Sequence, residues 1–201
     1  MGFNARKFKK NIGFLILCVL LIVLLIVFSM WSDNKNSLPS KDLDDKDVSI
    51  GKLVINEIMS SNKGVIADEE GNLYDYLELY NGNSHDINLK DYGLSDENTK
   101  VKYVFPDTVI EAHGYIVVYL SGKNKEGLYT NFKLKSAGGE TVALLKPNGK
   151  VVDAIETVSL DSNTVMARDT EGAWVVQDKP TPGFSNNVEG YNKLKVVKVK
   201  R

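Results

Sequence analysis

The sequence has few of the side chains that form thiol, disulfide or histidine–metal sites. Its 201 residues include one cysteine and two histidines. Cys18 lies inside a long apolar run, so the residues after that run contain no thiol and can form no disulfide. His85 and His113 have neither a cysteine nor a second histidine at the spacing of a zinc site, so each is interpreted as a loop or edge residue.

Catalytic and nucleotide-binding motifs are also absent. There is no G-x-S-x-G elbow, no Walker loop and no dinucleotide fingerprint. Residues 136–139 (SAGG) are too generic for a phosphate cradle and predict a flexible turn. The acidic run 68–75 lacks the spacing of a calcium loop, so a solvated hairpin loop is preferred to a Ca²⁺ site. These absences predict no catalytic residue, no cofactor and no bound metal.

Two glutamates in strand-like segments are the remaining candidates for catalysis or metal binding. Glu57 follows Asn56 in an apolar strand, and Glu78 lies in a second strand that ends at Asn81. A carboxylate pair can serve as acid and base or hold a metal. Because the chain contains 26 Asp and Glu residues, such a pair arises easily. We therefore prefer a structural interpretation, in which backbone or turn N–H groups donate hydrogen bonds to these side chains.

The longest apolar run covers residues 12–31, which contain no charged side chain. A helix of this length crosses about 30 Å of hydrocarbon. Fifteen of its residues are Ile, Leu, Val or Phe, and they favour insertion by about 5 to 9 kcal/mol. The alternative, a cleaved signal peptide, has a shorter apolar region and a small-x-small exit, whereas this run ends in Phe28-Ser29-Met30-Trp31. We expect an uncleaved transmembrane helix.

Basic residues before the run predict its orientation. Arg6, Lys7, Lys9 and Lys10 precede it, so the positive-inside rule leaves residues 1–11 in the cytosol and exports the rest. Residues 32–50 are rich in Asp, Lys, Asn and Ser and predict a flexible spacer. Residues 51–187 suit one domain, and residues 188–201 form a basic tail. The expected location is the cell membrane, with a single span and an extracytoplasmic C-terminal domain.

Charge is segregated along the chain. Residues 48–192 contain 13 Lys or Arg and 21 Asp or Glu, a net charge of −8, although the whole chain has −1. Proteins that bind nucleic acid need a basic face to release counterions from phosphates. The composition therefore argues against nucleic acid as a partner, unless a local basic patch is present.

The exported part has the pattern of an all-β sandwich, with short β-branched and aromatic runs between turn-forming residues. Little helix is expected after residue 31, because no sustained 3.6-residue periodicity occurs there. The tail run 194–200 alternates like a strand and is open to three interpretations: an edge strand, a disordered basic tail, or the remnant of a longer ancestor. The predicted strands are 52–59, 76–81, 101–105, 115–120, 141–145, 151–156, 165–168 and 173–176.

Ten short motifs in a fixed order resemble the bacterial form of the lamin tail domain over about residues 53–187. This sequence has Tyr76 where relatives commonly have Trp. The motifs are 55–59 (INEIM), 75–81 (DYLELYN), 87–89 (INL), 92–95 (YGLS), 112–115 (AHGY), 132–134 (FKL), 139–142 (GETV), 152–153 (VD), 166–168 (MAR) and 181–183 (TPG) with Asn186.

The resemblance implies an immunoglobulin-like β-sandwich but transfers no catalytic residue, since the shared motifs are structural. Two functional hypotheses follow. The first is a membrane-anchored, surface-exposed binding or scaffolding module, held through residues 12–31, with a protein or cell-wall partner. The second is the anchoring and accessory portion of an exported enzyme, of hydrolase or spore-coat-kinase type, whose catalytic part is missing or encoded separately.

Overall fold

The computed structural model describes residues 52–97 and 100–199. The predicted stub (1–11), transmembrane helix (12–31) and spacer (32–50) lie outside these residues. Within the described part of the chain, no helix is both long and apolar enough to cross a membrane. The elements are β1 (Leu53–Met59), β2 (Asp75–Asn81), β3 (Ile87–Asn88), β4 (Gly93–Ser95), β5 (Tyr103–Val104), β6 (Val109–Ile110), β7 (Tyr115–Leu120), β8 (Thr141–Leu145), β9 (Val151–Glu156), β10 (Val165–Arg168), β11 (Trp174–Gln177) and α1 (Val188–Val199).

Two main antiparallel sheets form the domain. The larger sheet has the order β11-β10-β1-β2-β7, and the smaller sheet has the order β5-β4-β8-β9. A two-stranded ribbon joins β3 to β6. With one short helix in the described residues, this mostly β architecture is consistent with the predicted immunoglobulin-like sandwich.

The main core lies between the two sheets. Alternating residues of β1, β2 and β7 meet apolar residues of β4, β8 and β9 in one buried cluster. The opposite side of the larger sheet, called here the outer face, has a second, smaller cluster around Met59, Tyr76 and Val165. Because both faces of the larger sheet are partly covered, its outer-facing side chains are not uniformly solvated.

Most predicted strands are confirmed, some with the same bounds. The hairpin of β8 and β9 is confirmed as predicted, and its turn contains Gly149 with φ +80°. The predicted strand 101–105 is reduced to the two residues of β5. The sequence pattern does not predict β3, β4 and β6, because strands of only two or three residues give no measurable alternation.

The edge-strand interpretation of residues 194–200 is wrong, because α1 extends through Val199. Asn187 begins the helix: its Oδ1 accepts a hydrogen bond from the Gly190 N–H at 2.9 Å, and its carbonyl accepts one from Tyr191 N–H at 3.0 Å. Leu194 on this helix is buried. The Asn187 cap and the burial of Leu194 favour a helix here, although Lys and Val alternate as they would in a strand.

Gly138 and Gly139 provide a matched test of packing in the turn before β8. Their φ angles are +73° and +81°, so alanine at either position costs about 1 to 2 kcal/mol of backbone strain. A Cβ at Gly138 would also lie 2.3 Å from the carbonyl carbon of Val158, whereas one at Gly139 meets nothing within 4 Å. We expect Gly138→Ala to lower the thermal unfolding midpoint more than Gly139→Ala, as measured by circular dichroism. Equal midpoints would contradict this close approach.

Candidate functional site

A β-bulge in β1 brings the two candidate glutamates to the same side of the larger sheet. The pairing of β1 with β2 shifts register between Ile55 and Glu57, so Asn56 is the extra residue. Ile55 and Ile58 both lie in the main core, whereas the side chains of Asn56 and Glu57 bond to groups on the outer face. After the shift, Glu57 lies directly opposite Glu78 on β2.

Residues 181–187, called here the covering segment, close over this pair. The Glu57 carboxyl accepts hydrogen bonds from the Tyr76 hydroxyl and from the Thr181 N–H, which lies 2.9 Å from Oε2. The Glu78 carboxyl accepts hydrogen bonds from Asn56 Nδ2, at 2.7 Å, and from the Gly183 N–H. Both glutamates are fully buried. The prediction that turn N–H groups bond these carboxyls is therefore confirmed.

Asn186 connects the covering segment to two strands. Its Nδ2 donates to the carbonyl of Asn56 on β1, at 3.0 Å, and to the carbonyl of Arg168 on β10, at 2.8 Å. Its Oδ1 lies 2.8 Å from Thr181 Oγ1, which in turn lies 2.9 Å from Glu57 Oε2. Thr181 has one hydroxyl proton for these two oxygens. If Glu57 is protonated, its carboxyl donates to the Thr181 hydroxyl, which then donates to Asn186. Both contacts of Thr181 Oγ1 are then hydrogen bonds.

The electrostatics agree with protonated carboxyls. Burial raises the pKa of Glu57, and the hydrogen bonds from Tyr76 and Thr181 oppose this only in part. Burial, followed by the charge of Glu57, raises the pKa of Glu78 well above its ordinary range. Burial also raises the pKa of Tyr76, so its hydroxyl stays a neutral donor. This pair holds the covering segment to the sheet and is closed to solvent.

The raised pKa values predict how stability depends on pH. Between the unfolded pKa near 4.5 and the higher folded values, the folded state binds more protons, so stability decreases as pH rises. We expect the thermal midpoint to be higher at about pH 5 than at about pH 7, and Glu78→Gln to reduce this slope. The stability contributed by Asp68 changes with pH in the opposite direction, because its pKa is lowered to about 2 in the folded state. This contribution is lost only as the pH falls below about 3.8. A midpoint that rises from pH 5 to 7 would contradict the assignment.

A second polar group connects the two sheets at the bulge. Arg168 on β10 donates from Nη2 to both carboxylate oxygens of Asp153 on β9, at 3.0 and 2.9 Å. Arg168 Nε also donates to the Ile55 carbonyl at 2.9 Å, and the Ile55 N–H donates to Asp153 Oδ2 at 2.8 Å. The pairing of β1 with β10 covers Glu57 and Ile58 only, so these side chains replace backbone partners at Ile55. This contact of Asp153 with Arg168, called here the clamp, has no signal in the local sequence.

The acidic loop between β1 and β2 differs from its prediction. Glu69, Glu70 and Gly71 are exposed as expected, but Asp68 is buried and therefore not solvated. Burial alone would raise the pKa of Asp68, yet the hydrogen bonds from Asn72 and the contact with Lys125 outweigh this and lower it to about 2. Among the described residues, no group of three His, Cys, Asp or Glu side chains is placed to hold a metal ion.

The histidines lie in loops, as predicted. His85 and His113 are both exposed, in the connections that follow β2 and β6. Asn81 holds these two connections together, because its Nδ2 donates to the carbonyls of His85 and Glu111, at 2.9 and 3.0 Å. The histidines therefore mark a loop junction in which the bonding groups are an asparagine side chain and backbone carbonyls.

Comparison with models of protein families gives a match. The family model described as Lamin Tail Domain matches residues 47–159, more than half of the chain. A search of curated proteins finds no match. The matched region contains β1 to β9 and both buried glutamates, whereas β10, β11 and the covering segment follow it.

Proposed function

The chain belongs to the lamin tail domain family, and from that membership we propose that it is a binding or scaffolding module held at the outer surface of a membrane. Domains of this family have an immunoglobulin-like fold and are usually non-catalytic binding modules. Fold alone does not determine activity, so the proposal depends on the chemistry of the residues.

The burial of Glu57 and Glu78 is the observation that carries the non-catalytic assignment. A general acid or base must come within hydrogen-bond reach of a substrate atom. Both carboxyls are instead closed off from solvent, and their oxygens accept hydrogen bonds from Tyr76, Thr181, Asn56 and Gly183. Perturbed pKa values also occur in structural networks, and this geometry favours that explanation.

A turnover assay tests the non-catalytic assignment. We expect the full chain to show no hydrolysis of nucleic acid, peptide or glycan substrates, and Glu57→Gln and Glu78→Gln to reduce thermal stability. Glu156→Gln is a matched control, because Glu156 is exposed at the end of β9. Turnover by the wild type that vanishes in either buried variant, with the fold intact, would overturn the assignment and favour the exported-enzyme hypothesis.

The location is proposed from residues 12–31 and their basic flank. A single span of this length, with Arg6, Lys7, Lys9 and Lys10 before it, leaves the β-sandwich outside. Protease added to intact cells, after removal of any wall, should digest the domain or release it through residues 32–50. Protection that is lost only on cell lysis would contradict this orientation. Release of the chain from membranes by high salt alone would contradict the span.

A further inference from the structure

Half-exposed tyrosines are concentrated on the outer face at the β7 edge of the larger sheet. Tyr80 on β2 stacks on Tyr115 of β7, with ring centroids 4.7 Å apart, and Tyr119 stacks on Tyr129 at 5.3 Å. Tyr74 contacts the second pair edge-on. These are five of the nine tyrosines in the chain. Tyrosine is enriched in protein interfaces, because its ring is apolar and its hydroxyl group is polar.

An open cleft of about 720 Å³ lies beside the second tyrosine pair. Its lining combines apolar, aromatic and acidic side chains and includes no lysine or arginine: Ala67, Asp68, Glu69, Val117, Tyr119, Leu128 and Tyr129. Glu69 is exposed and, within residues 52–97 and 100–199, takes part in no ion pair. The cleft therefore places the Glu69 carboxylate and the ring of Tyr119 along one opening, on a domain whose net charge is −8 over residues 48–192.

Lys125 shows which ligand chemistry these groups accept. Its ammonium lies 4.1 Å from the ring centroid of Tyr129, 3.3 Å from Asp68 Oδ2 and 3.0 Å from Glu70 Oε1. Rings and carboxylates in this arrangement attract a cation by cation–π and ionic contacts together. Asp68 and Glu70 are thus already paired with Lys125, which leaves Glu69 as the carboxylate that lines the cleft without a cation.

We propose that this cleft binds an arginine- or lysine-bearing segment of a partner protein, with the cation placed between Glu69 and the ring of Tyr119. The inference rests on the proposed binding function and specifies its partner. Charge complementarity favours a basic segment over a polyanion. It also favours a basic peptide over an uncharged glycan, because glycan hydroxyl groups can donate hydrogen bonds to Glu69 but carry no positive charge to pair with it.

The test uses the full chain in detergent micelles and a short labelled peptide that alternates arginine with glycine. Fluorescence anisotropy should detect binding of this peptide, and replacing arginine with uncharged citrulline should weaken it about tenfold or more. Glu69→Lys should cause a similar loss. Glu171→Lys, an identical charge change at an exposed residue in the turn between β10 and β11, should have little effect. Tyr119→Leu, if its thermal midpoint is retained, should weaken binding as well.

Several results would overturn the proposal. Equal losses from Glu69→Lys and Glu171→Lys would show that the acidic domain attracts the peptide without a specific site. Equal binding of the citrulline peptide would exclude recognition of a cation. A chitin oligosaccharide that displaces the peptide and ignores Glu69→Lys would assign the cleft to a glycan. Unchanged affinity in Glu69→Lys would remove the cleft assignment alone, because the peptide would still bind the domain at another place.

Discussion

Replacing Arg168 with alanine should lower the free energy of unfolding by about 3 to 5 kcal/mol. The substitution removes the cation that faces Asp153, whose side chain is 12% exposed, and leaves that carboxylate without its bidentate partner. It also removes the donor to the Ile55 carbonyl at the bulge and the guanidinium that lies 4.7 Å from the ring of Trp174. Denaturant unfolding of the full chain in detergent measures the loss.

Two further variants separate the contributions at this clamp. Arg168→Lys should recover only part of the stability, because one ammonium nitrogen cannot replace both the Nη2 contact with Asp153 and the Nε bond to the Ile55 carbonyl. Adding Asp153→Asn to Arg168→Ala should cost less than the sum of the two single losses, since the buried charge is then removed. Strict additivity would contradict a direct coupling of these side chains. Lys150→Ala, at an exposed turn residue, should change stability by about 0.5 kcal/mol or less.

Glu57→Ala should lower the free energy of unfolding by about 3 kcal/mol or more. Two buried donors then lose their acceptor, namely the Tyr76 hydroxyl and the Thr181 N–H, and the Thr181 hydroxyl oxygen loses the proton donated by Glu57. Each unsatisfied buried donor costs about 1 to 3 kcal/mol, and the empty volume adds to that cost. Glu57→Gln keeps the size of the side chain, so a smaller loss is expected. The same unfolding measurement compares both variants with wild type.

The region of the domain that is destabilised by Glu57→Ala also distinguishes Glu57 from an ordinary core residue. If Glu57 holds the covering segment, Glu57→Ala should increase amide hydrogen exchange at Thr181 and Gly183 more than in the hairpin of β8 and β9. Glu156→Ala, on an exposed residue of β9, is the control and should leave both regions unchanged. Uniform exchange across the domain in Glu57→Ala would contradict a local role for this carboxyl.

The local sequence pattern was sufficient to predict the longer strands. The segments of β7, β8, β9 and β10 were predicted with their observed bounds, because each alternates or carries β-branched residues over four to six positions between turn formers. The two-residue alternation of a strand requires Leu77 and Leu79 on one face of β2 and Glu78 on the other, as observed. It did not predict that Glu78 is fully buried, because the covering segment that encloses it lies about a hundred residues later in the chain.

The clamp and the tyrosine cluster were missed for a related reason. Asp153 and Arg168 belong to different sheets, and each looks like an ordinary charged residue of a short strand. Tyr119 and Tyr129 stack only because the chain after β7 returns alongside it, where the Tyr119 N–H donates to the Leu128 carbonyl and the Thr130 N–H donates to the Tyr119 carbonyl. Neither contact has a local signal, since sequence spacing does not show which strands become neighbours.

The sequence by itself determined the all-β class, the main hairpin, the acidic charge of the body and the structural bonding expected of Glu57 and Glu78, since each depends on composition or on the two-residue period of a strand. Tertiary structure decided the burial of those carboxyls, the bulge at Asn56 that turns two consecutive polar side chains to one face, and the helix after Asn187. These depend on which distant segments supply hydrogen-bond donors and cover apolar surface, and such long-range partners are fixed only when the chain folds.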